Sequence, residues 1–357
     1  MSNFDYKYFL ASNSAEGFVS VFENRYTARD GWKCYIIKGG PGTGKSSFMK
    51  YIASKAVDKG FEIELCPCSS DPDSLDALVI RDKKIIILDG TAPHTVDPVY
   101  PAVCEEILNF GSFWDTDSIK SQKENIINLI DKNKALHKSA SRYILAAGEI
   151  LKDNLKIANG SLERAKISKF SQNLCKKYIP PKNAVGSEEI RFLYAVTPKG
   201  IVSFGNTALK DCKTRIIIAD RIGIVINEIM QNIRTHAIKN GYKVITVKNS
   251  FLPSELIDHI IIPELSVGFL REFDCQHFAD TTRRIHARRF LNNAKLSKSR
   301  ERLKFNRKLI KELLLTAISV LKQAKKVHDE LENYYIGAMD FDALTLFAKD
   351  FCDNLLK

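Results

Sequence analysis

The sequence predicts an α/β fold that is built twice along the chain. Short apolar runs of strand length, at residues 34–37 and 84–88, alternate with stretches whose apolar residues follow helical spacing. A glycine-rich loop joins the first of these runs to the helical stretch after it. The segment around Gly60 is also similar to the segment around Gly241, at a constant distance of 181 positions. A repeat of this kind indicates two copies of one architecture.

The loop at residues 39–46 matches G-x-x-x-x-G-K-[ST], the pattern of a loop that binds nucleotide phosphates. Its glycines let successive N–H groups point at phosphate oxygens, and the following helix adds its positive end. An apolar strand precedes the loop, and Phe48, Met49 and Ile52 begin an apolar helix face that ends near Gly60. The residues predicted to bind the nucleotide are Gly39, Gly40, Pro41, Gly42, Thr43, Gly44, Lys45, Ser46 and Ser47.

The second predicted strand ends in an acidic residue. Residues 84–88 form an apolar run that Asp89 terminates, which is the Walker B pattern of a carboxylate that holds Mg²⁺ directly or through water. We therefore expect Ser46 and Asp89 to hold Mg²⁺, and Lys45 to contact the β- and γ-phosphates. Lys45 and Asp89 are the predicted catalytic residues.

The composition indicates a globular protein with more than one domain. The chain has 357 residues, of which 45% are hydrophobic and 27% charged. The N-terminal residues have no signal-peptide pattern, no apolar run reaches transmembrane length, and the eight cysteines are scattered. We expect a cytoplasmic protein with free thiols that does not enter a membrane. The oligomeric state is not predicted.

The net charge of +12 is concentrated in one segment. Residues 281–326 contain fifteen Lys or Arg against two Glu. Within it, residues 283–311 are a candidate surface for nucleic acid or for an acidic partner. A solvated basic helix face is the alternative, because only Phe290 and Phe305 are available for base stacking.

The repeat extends into the regions that follow each core. Phe170 and Cys175 correspond to Phe347 and Cys352, 177 positions later, within stretches that have helical spacing. We therefore predict that each half ends in a helical hairpin arm. The predicted domains are an intact nucleotide-binding core at 1–114, an arm at 115–185, a degenerate core at 186–290 and a basic arm at 291–357.

The second half lacks the residues of the phosphate loop. Opposite residues 39–47 stand residues 220–228, in which only Gly223 is a glycine and Ile226 takes the position of Lys45. Glu228 would place a negative charge at the helix start, and the strand opposite 85–88 ends at Leu270 without a carboxylate. We expect one nucleotide site per chain.

With these motifs the chain resembles a family of bacterial tandem P-loop proteins, usually labelled ATP-binding protein, ATPase or putative nucleotide kinase. The resemblance covers essentially the whole chain and rests on the phosphate loop, residues 68–76 and residues 89–94. It implies a P-loop NTPase fold and ATP as the nucleotide, but no substrate. Family members commonly carry an intact loop in both halves, and this sequence departs from that in its second half.

Two further segments are candidates for the site. Asp71, Asp73 and Asp76 could position water or a metal, or else Asp73 or Ser74 caps a short helix through Leu78. His94 either senses the γ-phosphate or packs.

The sequence as a whole predicts Mg²⁺-dependent ATP binding with hydrolysis at a single N-terminal site. ATP rather than GTP is expected because no N-K-x-D-like guanine signature is present and because of the resemblance. Two alternatives stay open. One is a nucleotide or small-molecule kinase, for which Arg142 and Arg191 are candidate lid arginines. The other is a non-catalytic ATP switch that presents the basic arm to nucleic acid or a protein partner.

Overall fold

The protein is α/β, with two six-stranded mixed sheets and helices packed on them. A computed structural model describes residues 6–22, 30–93, 95–210, 212–274, 277–278 and 284–357. His94 and Arg283 lie outside the described residues. In the part of the chain that is described, no helix is both long and apolar enough to cross a bilayer.

The first sheet has the order β1-β5-β6-β7-β4-β8. Its strands are β1 (Tyr6–Lys7), β4 (Lys33–Lys38), β5 (Ile63–Pro67), β6 (Leu75–Ile80), β7 (Ile85–Asp89) and β8 (Glu105–Asn109). The strand β4 lies between β7 and the edge strand β8 and is parallel to both, whereas β6 is antiparallel to its two neighbours. Because β4 and β7 are buried and parallel, their carboxyl ends meet at one edge of the sheet.

The second sheet repeats this arrangement, with the order β9-β13-β14-β15-β12-β16. Its strands are β9 (Ser187–Arg191), β12 (Thr214–Ala219), β13 (Lys243–Lys248), β14 (Ile257–Ile262), β15 (Val267–Glu272) and β16 (Arg284–His286). Every pairing has the same direction as its counterpart in the first sheet.

A small antiparallel hairpin accompanies each sheet. One joins β2 (Ala11–Ser14) to β3 (Gly17–Ser20), and the other joins β10 (Tyr194–Thr197) to β11 (Gly200–Ser203). Gly17 and Gly200 both have positive φ directly after the turn. The two halves meet where Phe9 and Phe192, both fully buried, exchange backbone hydrogen bonds of 2.8 and 3.1 Å.

One helix follows directly after β4 and another after β12, and each packs on its own sheet. These are α1 (Lys45–Asp58) and α6 (Ile224–Lys239), and each buries an apolar stripe against its sheet. Gly60 and Gly241 follow them with φ of 83° and 82°, as the predicted helix ends require.

The long helices differ from the predicted hairpins in their packing. The helix α3 (Lys123–Asn159) packs along α8 (Arg300–Ile336), and buried alanines let the two backbones approach. The following helix α4 (Arg164–Tyr178) packs on α6, whereas α9 (Phe341–Leu355) packs on α1 of the other half. Each long helix therefore buries its apolar face against the other long helix rather than against the shorter helix that follows it.

Short helices complete the chain. They are α2 (Thr116–Ser121), α5 (Thr207–Lys210) and α7 (Asn293–Ser297), together with 3-10 turns at Phe110–Phe113, Pro263–Leu265 and Ala287–Phe290. The short helix considered for residues 74–78 is not formed, because residues 75–80 are the buried strand β6.

Candidate functional site

The glycine-rich loop connects β4 to α1 at the carboxyl edge of the first sheet. It runs from Gly39 to Gly44, and α1 begins at Lys45. Gly42 and Gly44 have φ of 68° and 80°, a region that disfavours residues with a side chain. The strand, loop and helix order expected from the sequence is therefore present.

Lys45 and Asp89 lie together at this edge. The Lys45 ammonium donates hydrogen bonds to the carbonyl of Gly40 at 2.6 Å and of Gly39 at 3.3 Å. Its Nζ lies 3.7 Å from Oδ2 of Asp89, and both side chains are largely buried. They meet because β4 and β7 are adjacent and parallel, with Ile37 opposite Asp89.

The other loop residues differ in their surroundings. Thr43 is buried and donates its hydroxyl to the Gly40 carbonyl at 2.8 Å. The Ser46 hydroxyl accepts the N–H of Leu75 at 3.0 Å. Pro41 is half-buried, and Ser47 is exposed one position further along α1.

The oxygen donors at this edge fit Mg²⁺ as part of a larger coordination shell. Asp89 Oδ1 accepts the N–H of Thr91 at 3.0 Å and its hydroxyl at 2.6 Å, which fixes the carboxylate with Oδ2 toward Lys45. Hydroxyl and carboxylate oxygens are ligands that Mg²⁺ prefers. No group of three or more His, Cys, Asp or Glu side chains in the described residues is arranged to hold a metal ion. Phosphate oxygens and water would have to supply the remaining ligands.

The Asp-rich loop is held by lysines from three different elements. Lys50 of α1 donates to the carbonyl of Asp73 at 2.5 Å, and Lys199 of the β10–β11 turn pairs with the Asp73 carboxylate. Lys325 of α8 lies 3.5 Å from Asp71. The hydrogen bond from Lys199 lowers the pKa of Asp73.

The predicted capping role of this loop was wrong, since no helix follows it. Asp71 instead closes the turn, because it accepts the Ser74 hydroxyl at 2.8 Å and the Asp73 N–H at 3.3 Å. Asp76 is buried beside Cys68, and burial followed by the Asp76 charge raises the pKa of that thiol.

The end of α8 contacts the glycine-rich loop, and no pattern in the sequence predicts this contact. Glu332 accepts the N–H of Gly42, and His328 lies 3.3 Å from its carboxylate. The His328 contact lowers the pKa of Glu332 against the opposing effect of burial. A β-carbon on Gly40 would stand 2.7 Å from the Tyr335 ring, and one on Gly42 would stand 2.8 Å from the Glu332 carbonyl. Glycine at both positions lets α8 approach the loop. The sequence carried no signal for a contact between segments about 290 positions apart.

The corresponding turn of the second half is shorter and filled by protein groups. Only residues 220–223 separate β12 from α6, and Gly223 has φ of 97° directly before the helix. The Asp220 carboxylate accepts the N–H groups of Ile222, Gly223 and Ile226 at 3.1, 3.0 and 2.9 Å. A carboxylate of the chain itself thus accepts the N–H groups of this turn, in the place where an external anion would bind.

A buried arginine closes the same turn. Arg271 of β15 stands opposite Ile218, the register that Asp89 has opposite Ile37. Its guanidinium donates to the Asp220 carbonyl at 2.8 Å and to the buried Asp258 carboxylate at 2.6 Å. Glu228 lies one turn inside α6 and 3.7 Å from Arg164, so its predicted place at the helix start was wrong.

The basic segment is exposed but partly neutralised. Arg302 pairs with Asp153 at 2.6 Å, and Arg284 pairs with Glu272 at 2.8 Å. Phe290 is buried, whereas Phe305 is 64% exposed, so only one of the two predicted stacking rings is accessible. Of the two candidate lid arginines, Arg142 is exposed, and Arg191 is buried in an ion pair with Glu64 at 3.1 Å. Arg191 therefore cannot move as part of a lid.

Comparison with known proteins gives no relative. No protein-family model, curated protein or solved structure matches this chain.

Proposed function

We propose that the chain binds Mg²⁺–ATP at the loop between β4 and α1 and hydrolyses it there. The observation that carries this proposal is the meeting of Lys45 and Asp89, 3.7 Å apart, beside a loop with two left-handed glycines. Residues 45 and 89 come from different elements and converge at the carboxyl edge of parallel strands. This edge is where α/β sheets bind ligands.

Each residue has a defined part in this proposal. On nucleotide binding, the Lys45 ammonium leaves the carbonyls of Gly39 and Gly40 and contacts the β- and γ-phosphates. There it offsets the negative charge that develops during phosphoryl transfer. The amides of residues 39–44 hold the phosphate oxygens. Ser46 and Asp89 hold Mg²⁺, which neutralises phosphate charge when bound. Glu332 and His328 are the titratable pair on α8 nearest the loop and are candidates for positioning water.

We further propose that the chain is an internally duplicated P-loop NTPase fold. The two sheets share strand order and every pairing direction. The bridge of Trp114 with Met339 is matched by that of Leu291 with Leu162, each residue shifted by 177 positions. The contact of Phe347 with Phe113 is matched in the same way by that of Phe170 with Phe290.

The substitution Lys45→Ala tests the proposed activity. We expect turnover to fall by about 10²-fold or more, because the group that stabilises the transferring phosphoryl charge is lost. Phosphate release and binding of a slowly hydrolysed ATP analogue are measured on the purified protein. Lys55→Ala, exposed on the same helix, is the control and should retain both. Unchanged binding and turnover in Lys45→Ala would refute the assignment.

The same assay separates hydrolysis from the two alternatives. Phosphate release without any acceptor supports the ATPase. Release that requires an added nucleotide or small-molecule acceptor identifies a kinase. Binding without turnover identifies an ATP switch.

A further inference from the structure

A large cavity lies at the carboxyl edge of the second sheet. It has a volume of about 770 Å³, which is within the range of small-ligand sites. Its walls are the turn after β12, the region that follows β15, and facing stretches of α3 and α8. None of its lining residues belongs to the phosphate loop.

The cavity wall has an excess of positive charge. Two carboxylates, those of Asp274 and Glu301, face a larger set of basic side chains. These basic residues are Arg221, Arg271, Arg288, Arg300, Lys304 and Arg307. An excess of this size inside one concave surface favours a ligand with more than one negative charge.

Three of the basic side chains come from one face of α8. Arg300, Lys304 and Arg307 follow one another at helical spacing, and all three are exposed. Within the described part of the chain, none of them has an acidic partner at ion-pair distance. By contrast, Arg221 pairs with Asp274 at 2.8 Å. The α8 stripe therefore carries positive charge that the described chain leaves unneutralised.

The interior of the cavity is apolar and aromatic. The half-buried ring of Phe251 lies 5.7 Å, measured between centroids, from the ring of Tyr194, which is fully buried and lies 5.4 Å from Phe273. Ile310 and Leu314 continue the α8 stripe beyond the basic residues. A ligand that fits both parts has a charged end and a ring or apolar end.

The turn beside the cavity excludes recognition of the phosphate-loop kind. Asp220 already accepts the turn amides, and Arg271 stands where a metal-binding carboxylate would be needed. Guanidinium groups can bind phosphate through paired N–H donors without a metal. We propose that this cavity binds a small organic phosphate without a metal ion, with its phosphate on the α8 arginines and its apolar part against Phe251 and Ile310.

Titration with 1-naphthyl phosphate in EDTA tests this proposal on the full chain. We expect saturable binding by the parent protein and by Lys45→Ala, whose phosphate loop is disabled. The double variant Arg300→Gln/Arg307→Gln should raise Kd about tenfold or more, because charge-assisted hydrogen bonds are lost. Lys308→Gln/Lys311→Gln removes the same charge from exposed positions of the same helix that do not line the cavity, and should change Kd by less than about twofold.

A second variant tests the cavity without changing its charge. Ser297→Trp places a large ring on an exposed lining residue and should weaken binding as well. Thermal unfolding of each variant checks that the fold is retained.

Four outcomes would overturn the proposal. They are no saturable binding by the parent, equal weakening in the two double variants, loss of binding in Lys45→Ala, and equally tight binding of uncharged 1-naphthol. A fifth result would identify an open polyanion surface instead. In that case the parent binds single-stranded RNA but not naphthyl phosphate, and both double variants weaken RNA binding equally.

Discussion

At the scale of single residues, the turns after β4 and after β12 differ in what faces their backbone N–H groups. Backbone N–H groups converge at the start of a helix and favour a negative charge. In the second half Asp220 supplies that charge from within the chain. In the first half the loop has no carboxylate of its own, and Glu332 of α8 accepts only the N–H of Gly42. The first turn is therefore the one suited to an external phosphate.

The role of Asp89 can be tested by its Mg²⁺ dependence. Asp89→Asn keeps the hydrogen bonds from Thr91 but removes the charge that would attract the metal. We expect the Mg²⁺ concentration for half-maximal turnover to rise about tenfold or more. Asp97→Asn, which removes an exposed carboxylate that pairs with Lys38 at 2.7 Å, is the control. A Mg²⁺ titration that overlays the parent's would show that Asp89 only closes a turn.

The buried pair of Arg271 and Asp258 predicts a charge-dependent stability effect. Arg271→Leu leaves the Asp258 carboxylate buried without its guanidinium, and we expect a loss of about 3–5 kcal/mol in unfolding free energy. Adding Asp258→Asn removes the orphaned charge but keeps an acceptor for Tyr194, so the double variant should be more stable than Arg271→Leu alone. Urea unfolding measures both. Equal stability of the single and double variants contradicts this account.

At the scale of elements, the long helices α3 and α8 bind the halves together. Each begins beside one sheet and ends beside the other, so that α9 completes the first core and α4 the second. Close approach between α3 and its surroundings depends on small residues. At Gly148 an added β-carbon would stand 2.0 Å from that of Ala15 in the β2–β3 turn.

This contact predicts different effects for Gly148 of α3 and for Gly160, the C-cap residue directly after α3. Gly148→Ala should destabilise the protein by about 1–3 kcal/mol, because overpacking outweighs the gain in helix propensity. Gly160→Ala is the matched control. Gly160 has helical φ of −64°, and an added β-carbon would meet only the Ile157 carbonyl at 3.6 Å. We expect it to be neutral or slightly stabilising in thermal unfolding. Equal effects at both positions would rule out the Ala15 contact as the cause.

Local patterns in the sequence predicted local elements, and failed where a partner was distant. The apolar spacing after Lys45 gave α1 and its end at Gly60, because both depend on neighbours within a few positions. A capping role of Asp73 or Ser74 predicts a short helix through Leu78, but pairing with β5 and β7 makes residues 75–80 a strand. Likewise, the apolar face of α3 is buried by α8 rather than by the helix that follows it, and spacing alone does not identify a partner.

The site shows the same limit. The strand-end position of Asp89 and the loop pattern identified the pair at 3.7 Å. Glu332 and His328 have no motif, and their place beside Gly42 follows from the crossing of α8 between the halves.

At the scale of the whole molecule, buried contacts join the two halves of the chain. Glu64 of the first sheet pairs with Arg191 of the second, both buried, and Phe9 bridges Phe192. The second half also contacts the first-half site through Lys199 and through Lys325 and Glu332 of α8. A second half without its own phosphate loop therefore still contributes to the surroundings of the first.

The difference between the two turns predicts one Mg²⁺-dependent nucleotide-binding site per chain. The second turn is two residues shorter than the first, its amides are taken by Asp220, and Arg271 stands at the register of Asp89. A phosphate there would have to displace a carboxylate that is held by three N–H groups, and would find no lysine to replace Lys45. Isothermal titration with a slowly hydrolysed ATP analogue in Mg²⁺ should give a ratio near one, and Lys45→Ala should abolish that binding. Asp220→Asn weakens the internal anion but restores neither lysine nor loop length, so it should leave the ratio unchanged. A ratio near two, or Mg²⁺-dependent binding that persists in Lys45→Ala, would show that the second turn still accepts a nucleotide.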